Sequence, residues 1–514
     1  MAMPSSRILV PEELLQRPLP LRDGIGGAHD TVTTASPEAQ RYYDQALAYM
    51  HGYVWVEAAR SLHQALRLDA GLGMAHVALT TVYLELNQPA RASESLSRAR
   101  ALASSLSPHD QQHLAAREAQ MQAEAAPGDA TKLAAYRRAL DAAVRAFPDD
   151  VELLLWRGVA ESNDPADRGQ GAVASAIPYF TKALERAPGH AGAHHYLVHA
   201  YENSTQLDQA LTHASALAKA APEVPHAQHM YGHVLRRSGK IDDAIAAFER
   251  SFALETEYFT RERLKPEYEW HHEHNLDLLA ASYRYRGQVQ KAGGLLARAF
   301  ELPSALAVQL FNKREWPEFL VARGRYPEAL SAAAVLSAHP ATLVQAVGHI
   351  EAARAHMAMK QYQPAAASAN AALRALRSTP DGAALVGPAF EMMQGEFFLR
   401  TGQRDKGRAM LQSSVATMRA APGPDNWAQT LFLLESIARA ARESGDWEFA
   451  GWAAEQMFAH DANYAGTHYA LALVAEHNKQ PARAAAAFAR AAALWSQADA
   501  ELPEWREAIA KKGR

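Results

Sequence analysis

The stretch that decides the fold is residues 205–244, TQLDQALTHASALAKAAPEVPHAQHMYGHVLRRSGKIDDA. Tight turns at Thr205-Gln206 and Gly239-Lys240 each precede a segment in which small and aliphatic residues follow one helical stripe. Ala210 and Ala244 occupy the same place in the two segments, 34 residues apart. A helix pair of this kind cannot bury its stripe alone, so the pattern predicts that successive pairs stack to form the core.

The same turn recurs along the chain. It is found at Gly52, Asn87, Thr205, Gly239, Gly287, Gly324, Lys360, Gly402, Gly445 and Asn478. Pro188 and Pro222 close successive units at the same spacing as the alanines, because proline cannot continue a helix. A period of 34 residues is typical of tetratricopeptide (TPR) repeats. We therefore predict an all-α, TPR-type helical solenoid, a right-handed superhelix of about eleven helix-turn-helix units.

Three regions are predicted from changes in regularity. Residues 1–38 contain proline and glycine and are interpreted as an N-terminal extension that caps or crosses the first repeat. Residues 39–300 form the regular TPR array, interrupted by a polar insertion at residues 163–170. Residues 301–514 keep the turns but are richer in alanine, and are interpreted as C-terminal TPR-like repeats.

Composition excludes several classes of protein. The chain has 514 residues, 48% of them hydrophobic, with a net charge of −4 and no cysteine. The charge provides no electrostatic reason to expect nucleic acid or a membrane surface as a partner. The absence of cysteine excludes disulfides, thiolate metal sites and cysteine nucleophiles. With no recognisable signal peptide, we expect a cytoplasmic protein whose metal ligands, if any, are nitrogen and oxygen atoms.

Histidines are concentrated in one part of the array. Eleven of the 23 histidines lie between His190 and His274. Adding the 34-residue period to His195 and His199 gives His229 and His233, so these pairs occupy equivalent positions on the first helices of adjacent repeats. Packed helix axes lie roughly 8–10 Å apart, which allows imidazoles from both helices to bind one ion at about 2 Å.

Residues 270–277, WHHEHNLD, open the following repeat and add further candidates. The predicted metal ligands are His195, His199, His229, His233 and His274, with His226 and His271 next. Two carboxylates, Glu202 and Asp277, are predicted as catalytic groups, ligands or partners that orient the ligands. Histidines elsewhere, including His63 and His113, are interpreted as surface or hydrogen-bonded core residues.

The histidine-bearing motifs resemble a group of bacterial TPR proteins. The resemblance rests on residues 22–26 (RDGIG) with His29, on 57–61, 194–203, 225–233 and 267–277, and on 465–470. It covers most of the chain and implies a His-rich site in a family whose activity is unsettled. Related patterns in this family also include His29, His51 and His468, which helical spacing does not place at the cluster.

Histidine and carboxylate ligands without thiolate favour iron or copper, with zinc or manganese as alternatives, as one or two ions. The sequence thus favours an oxygen-dependent metalloenzyme, an oxidoreductase acting on a small molecule or peptide in the concave groove. A hydrolytic zinc enzyme would instead use Glu202, Glu269 or Glu273 as general base. The competing interpretations are a TPR scaffold for protein–protein interaction and a protein that stores or senses metal.

Overall fold

The structure, a computed structural model, describes residues 8–304, 306–420 and 426–513. Over these residues the regular structure is helical, with one isolated β-bridge between Gly27 and His190. The prediction of an all-α, TPR-type solenoid is confirmed. The described chain separates into two compact units: the N-terminal unit, residues 9–271, and the C-terminal unit, residue 8 with 272–514. The predicted regions 1–38, 39–300 and 301–514 stay a prediction, and residues 1–7 lie outside the described residues.

Thirteen α-helices lie wholly in the N-terminal unit as the structure describes it. They are α1 (Glu12–Leu15), α2 (Pro37–His51), α3 (Trp55–Leu68), α4 (Gly73–Glu85), α5 (Pro89–Ala101), α6 (Pro108–Glu124), α7 (Ala130–Ala146), α8 (Val151–Val159), α9 (Ile177–Arg186), α10 (Ala191–Asn203), α11 (Leu207–Ala220), α12 (Pro225–Arg237) and α13 (Ile241–Glu262). Helix α14 (Trp270–Tyr285) begins in this unit and ends in the other.

The C-terminal unit continues with helices of similar length. They are α15 (Val289–Glu301), α16 (Ala307–Asn312), α17 (Glu315–Ala322), α18 (Tyr326–Ser337), α19 (Thr342–Ala358), α20 (Tyr362–Arg377), α21 (Pro380–Arg400), α22 (Arg404–Ala420), α23 (Asn426–Glu443), α24 (Trp447–His460), α25 (Ala465–His477), α26 (Pro481–Leu494) and α27 (Pro503–Lys511). Among the described residues, no helix combines the length and apolar character needed to cross a membrane.

The recurring turn is a left-handed helix end. Every turn named from the sequence contains a residue with positive φ, from Tyr53 (57°) through Gly239 (75°) to Lys479 (56°). At Gly239 the following amide, of Lys240, donates to the carbonyl of Leu235 at 2.9 Å. This six-residue closure is the Schellman motif, in which a left-handed residue ends one helix and reverses the chain into the next. The recurring turn in the sequence therefore reflects the need for one left-handed residue at the end of each of these helices.

Within a pair, a small residue on the first helix receives a ring from the second. A Cβ on Gly232 of α12 would lie 2.7 Å from the ring of Phe248 on α13. The same contact joins Gly158 of α8 to Phe180 of α9, at 2.3 Å. Both phenylalanines are fully buried, so the pairs approach closely where the first helix carries glycine.

The segment before α2 crosses the N-terminal unit. The Oη of Tyr42 donates to the carbonyl of Leu19 at 3.0 Å, and the amide of Glu223 donates to the carbonyl of Gly24 at 2.9 Å. A Cβ on Gly26 would lie 2.6 Å from the Cβ of Ala191. Residues 19–27 therefore run against α2 and across to the N-terminal ends of α10 and α12, beyond the first repeat.

Candidate metal centre

Three histidines of the N-terminal unit bring their ring nitrogens together. His195 and His199 lie one turn apart on α10, and His226 lies in the first turn of α12. The Nε2 atom of His195 is 3.1 Å from that of His199 and 3.0 Å from that of His226. Nitrogens bound to one ion at about 2.0–2.1 Å lie roughly 3–3.5 Å from one another. The spacing of this three-histidine cluster fits the ligands of a single ion.

A hydrogen bond behind His195 determines which of its nitrogens carries the proton. The Nδ1 atom lies 2.7 Å from the backbone carbonyl oxygen of His51, and because a carbonyl only accepts, Nδ1 must donate. In a neutral ring Nε2 is then a lone pair, directed at His199 and His226. One lone pair cannot bond well to two ring nitrogens at once, whereas one cation accepts all three.

Burial keeps the cluster uncharged. It lowers the pKa of His195 to about 3 and holds the pKa of His199 and of His226 well below the usual value. The side chains are buried, with 1% of His195 and 8% of His199 exposed. The three rings are therefore neutral at pH 7, the state in which imidazole binds a metal.

A buried histidine–carboxylate pair contacts the cluster through the backbone carbonyl of His51. The Nε2 atom of His51, at the end of α2, lies 3.0 Å from both carboxylate oxygens of Glu152 on α8. The Nδ1 atom of His51 lies 2.9 Å from the Oη of Tyr196, and the Nε2 of His190 lies 3.3 Å from Glu152. Burial alone would raise the pKa of Glu152, but His51 and His190 hold it at about 2. His51 also provides the backbone carbonyl that accepts the hydrogen bond from His195.

Aromatic rings and a small cavity enclose the cluster. The ring centroid of Tyr53 lies 4.7 Å from that of His195 and 5.0 Å from that of His226. The ring of Tyr53 also stacks on His271, with the centroids 5.5 Å apart. His271 in turn lies 4.2 Å from His226. A small cavity beside His195 and His226 is lined on one side by Ile25 of the crossing segment. The sequence placed these histidines on a concave surface, whereas the structure buries them.

Other predicted residues lie along the same side of α12. The ring of His229 lies 5.5 Å from His226 and 4.6 Å from His233. Glu202 is buried, with an oxygen 3.7 Å from the Nδ1 of His233 and 3.3 Å from a guanidinium nitrogen of Arg237. These side chains continue from the three-histidine cluster towards Arg237, and their role as ligands or catalytic groups stays a prediction.

The remaining predicted residues are described separately. His274 and Asp277 lie on the part of α14 that belongs to the C-terminal unit, and their assignment also stays a prediction. His29 is exposed and bonds to Asp44 at 2.7 Å, and His468 bonds to the carbonyl of Ala462 at 2.8 Å.

Sequence reasoning did not single out Glu152 or His190, and it left His51 open. His51 and Glu152 lie on α2 and α8, which have no histidine periodicity, and His190 is the N-cap of α10, five residues before His195 and outside its i, i+4 pattern. Only the family resemblance pointed to His51.

Comparison with known families identifies the repeats. Models described as tetratricopeptide repeat match residues 168–234 and 225–258. No curated protein matches the sequence.

Solved TPR structures are similar only at a low level. YrrB, a TPR protein with an unusual peptide-binding site, is 18% identical, covering 40% of this chain and 95% of that one with a TM-score of 0.28. A human IFIT1 dimer with PPP-AAAA is 14% identical over 83% and 91%, with a TM-score of 0.38. Yeast Tom70 is 12% identical over 92% and 94%, with a TM-score of 0.33. Similarity at this level carries no argument about function. Residues 168–258 are nevertheless tetratricopeptide repeats, and His195, His199 and His226 all lie inside them.

Proposed function

We propose that the three-histidine cluster binds one transition-metal ion and that the protein uses this ion in an oxygen-dependent oxidation. The observation that supports the metal site is that the Nε2 atoms of His199 and His226 lie 3.1 Å and 3.0 Å from the Nε2 of His195, all in neutral rings. The hydrogen bond from its Nδ1 to the His51 carbonyl supports the proposal, because buried metal-binding histidines commonly donate their second nitrogen in this way.

The ligand set favours copper. Three neutral imidazoles with no thiolate suit Cu and Zn, whereas iron oxygenases commonly use two histidines and a carboxylate. Glu202, the carboxylate predicted for that role, is engaged with Arg237 and lies towards His233. Zinc fits these ligands but has no redox chemistry, so iron is the second choice for an oxidation and zinc the third. Copper would supply one-electron chemistry with dioxygen, and the surrounding residues would position it and exclude water.

Burial of the site favours a small substrate. The three histidines are 1–8% exposed. Ile25 lines the cavity beside them, and the ring of Tyr53 packs against His195. A peptide lying in an open TPR groove would not reach Nε2 of His195 without displacing the crossing segment. The proposal is accordingly a small-molecule oxidation, with metal storage or sensing and a metal-free TPR scaffold as the outcomes that would replace it.

The first test is elemental analysis of the untagged full chain purified without chelators. It is repeated on His195→Gln and His226→Gln, which remove a lone pair at similar size, and on His63→Gln as control. His63 is matched because it is a partly buried histidine bonded only to Tyr83 among the described residues. We expect the first two variants to lose one equivalent of copper or iron, and the control to retain it.

Oxygen consumption with a chemical reductant then separates the possible functions. Consumption that disappears in His195→Gln supports the oxidase proposal. Bound metal without any turnover would replace it with storage or sensing. A chain that binds neither copper nor iron after anaerobic reconstitution would overturn both the oxidation and the storage or sensing of these metals. The protein would then be interpreted as a repeat scaffold.

A further inference from the structure

A second cluster of metal-ligating side chains lies in the N-terminal unit, outside the three-histidine cluster. It consists of Asp30, His109, His113 and Asp150, each of which offers one atom within 4.8 Å of the others. His109 and His113 lie one turn apart on α6, Asp150 caps the N-terminus of α8, and Asp30 belongs to the segment before α2. The proposed oxidation does not use any of these residues.

The ring nitrogens of the two histidines converge on one carboxylate oxygen. The Oδ2 atom of Asp150 lies 2.6 Å from the Nε2 of His109 and 2.9 Å from the Nε2 of His113. The carboxylate oxygens of Asp30 lie 3.5 Å and 3.7 Å from the same two nitrogens, beyond hydrogen-bond reach. Two nitrogens and two carboxylates therefore converge within 4.8 Å, with Asp150 at hydrogen-bond distance and Asp30 slightly farther away.

The second nitrogen of His109 is already engaged. Its Nδ1 atom lies 3.1 Å from the Oδ1 of Asp110, and the other oxygen of Asp110 accepts the amide of Thr33 at 2.8 Å. If Nδ1 donates to that carboxylate, the neutral ring turns its Nε2 lone pair towards Asp150. Lone pairs of nitrogen and oxygen repel at 2.6 Å, so a proton bridges the two atoms as they stand. A metal ion bound to both at about 2 Å would replace that proton and hold the atoms roughly 3–3.5 Å apart.

We propose that Asp30, His109, His113 and Asp150 bind a divalent transition-metal ion, most closely matching zinc, which fastens the N-terminal segment to α6 and α8. Two neutral imidazoles and two carboxylates carry a charge of −2, which one divalent ion balances. Four protein ligands complete a tetrahedral shell and leave no open position, as in structural zinc sites. Asp110 would orient His109, as carboxylates do for histidine ligands.

The position of the site indicates what the ion would hold. Asp30 lies three residues beyond Gly27, which bridges to His190, and five beyond Ile25, which lines the cavity at His195. Binding Asp30 to α6 and α8 would therefore keep the crossing segment over the three-histidine cluster. Asp150 and Glu152 both lie at the N-terminal end of α8. Asp150 contacts His113 of the cluster at Asp30, and Glu152 contacts His51 beside the three-histidine cluster.

The test uses the full chain with the three-histidine cluster disabled by His195→Gln, His199→Gln and His226→Gln. Co(II) is added as a spectroscopic substitute for zinc. We expect one equivalent to bind with visible d–d absorption, and zinc to displace it. Adding His109→Gln with His113→Gln should abolish this equivalent, and Asp150→Asn should weaken binding at least about tenfold. Because this background lacks the proposed redox site, failure of one proposal leaves the other testable.

A matched control and a second readout distinguish an ion from a proton network. Asp150→Asn retains an N-cap residue, and Asp149→Asn changes the adjacent, exposed carboxylate, so only the former should affect Co(II). Zinc should also slow proteolysis within residues 9–36 of the same background chain. Folded protein that binds neither Co(II) nor zinc, or binding that survives loss of both histidines, would overturn the site and leave protonated histidine–aspartate pairs.

Discussion

At the scale of single residues, the tautomer of His195 depends on groups outside the three-histidine cluster. The His51 carbonyl fixes the tautomer of His195, and Glu152 fixes His51. Because Nδ1 donates its proton to the His51 carbonyl, the neutral ring of His195 has one defined lone pair, on Nε2. The tautomer of His195 is therefore determined by His51, whose own ring contacts Glu152.

Removing the charge of Glu152 should destabilise the N-terminal unit. Glu152→Gln leaves His51 and His190 without their buried anion, and the loss of one partner of a buried pair costs about 3 kcal/mol. Urea unfolding followed by circular dichroism measures this change. Glu185→Gln is the control, because that carboxylate is 63% exposed. Equal midpoints for the two variants would show that the pair contributes no stability.

Two histidines remote from both clusters should make stability depend on pH. Burial lowers the pKa of His63 and of His76 from 6.5 to about 4. Between these values the unfolded chain binds more protons at the two rings, so the free energy of unfolding falls as pH falls from 6.5 towards 4. Above pH 6.5 the two residues contribute no slope.

The double variant His63→Gln/His76→Gln should therefore lose less stability than the parent between pH 7 and pH 5. We expect a difference of about 1 kcal/mol for each ring after allowing for solvent screening. Unfolding midpoints in urea across this range provide the measurement. Parallel pH profiles for parent and variant would contradict the assignment of neutral, buried rings.

At the scale of elements, the helix end and the helix interior place opposite demands on glycine. Gly239 has φ of 75° in the turn between α12 and α13, and a Cβ there would meet nothing within 4 Å. Gly294 lies inside α15, also with open space around its Cβ position. The difference between the two sites is thus one of backbone conformation.

Alanine should consequently destabilise at one position and stabilise at the other. Gly239→Ala forces a left-handed alanine and should cost about 1 kcal/mol. Gly294→Ala reduces the entropy of the unfolded chain and should add up to about 1 kcal/mol. Thermal unfolding of both variants tests the pair. Changes of the same sign at Gly239 and Gly294 would show that φ does not decide the effect of alanine at these two positions.

The positions of the helices also explain why the repeat spacing did not indicate the cluster at Asp30. His109 and His113 have the same i, i+4 spacing as His195 and His199, but no equivalent pair follows 34 residues later. Their proposed partners are Asp150, an N-cap residue, and Asp30, in a segment without regular structure. Repeat arithmetic detects ligands only where every ligand lies on a repeat.

At the scale of the whole molecule, the N-terminal unit is more than a row of nearest neighbours. Helix α2 of the first pair packs on α10, and the segment before α2 reaches α12. A solenoid is usually stabilised by contacts between adjacent repeats. Here contacts between distant parts of the sequence surround the three-histidine cluster, so the cluster lies in the interior of the unit.

The sequence by itself determined the helical repeats, their turns and the histidine-bearing faces of α10 and α12. These features repeat with a fixed period, because each turn needs a left-handed residue and each pair needs the same apolar stripe. Only the tertiary structure decided that His195 pairs with the His51 carbonyl, that Glu152 stands behind it, and that Asp30 meets α6 and α8. The physical reason is that these contacts join segments about 80 to 145 residues apart, and periodicity specifies neighbours along the array but not the closure of the chain upon itself.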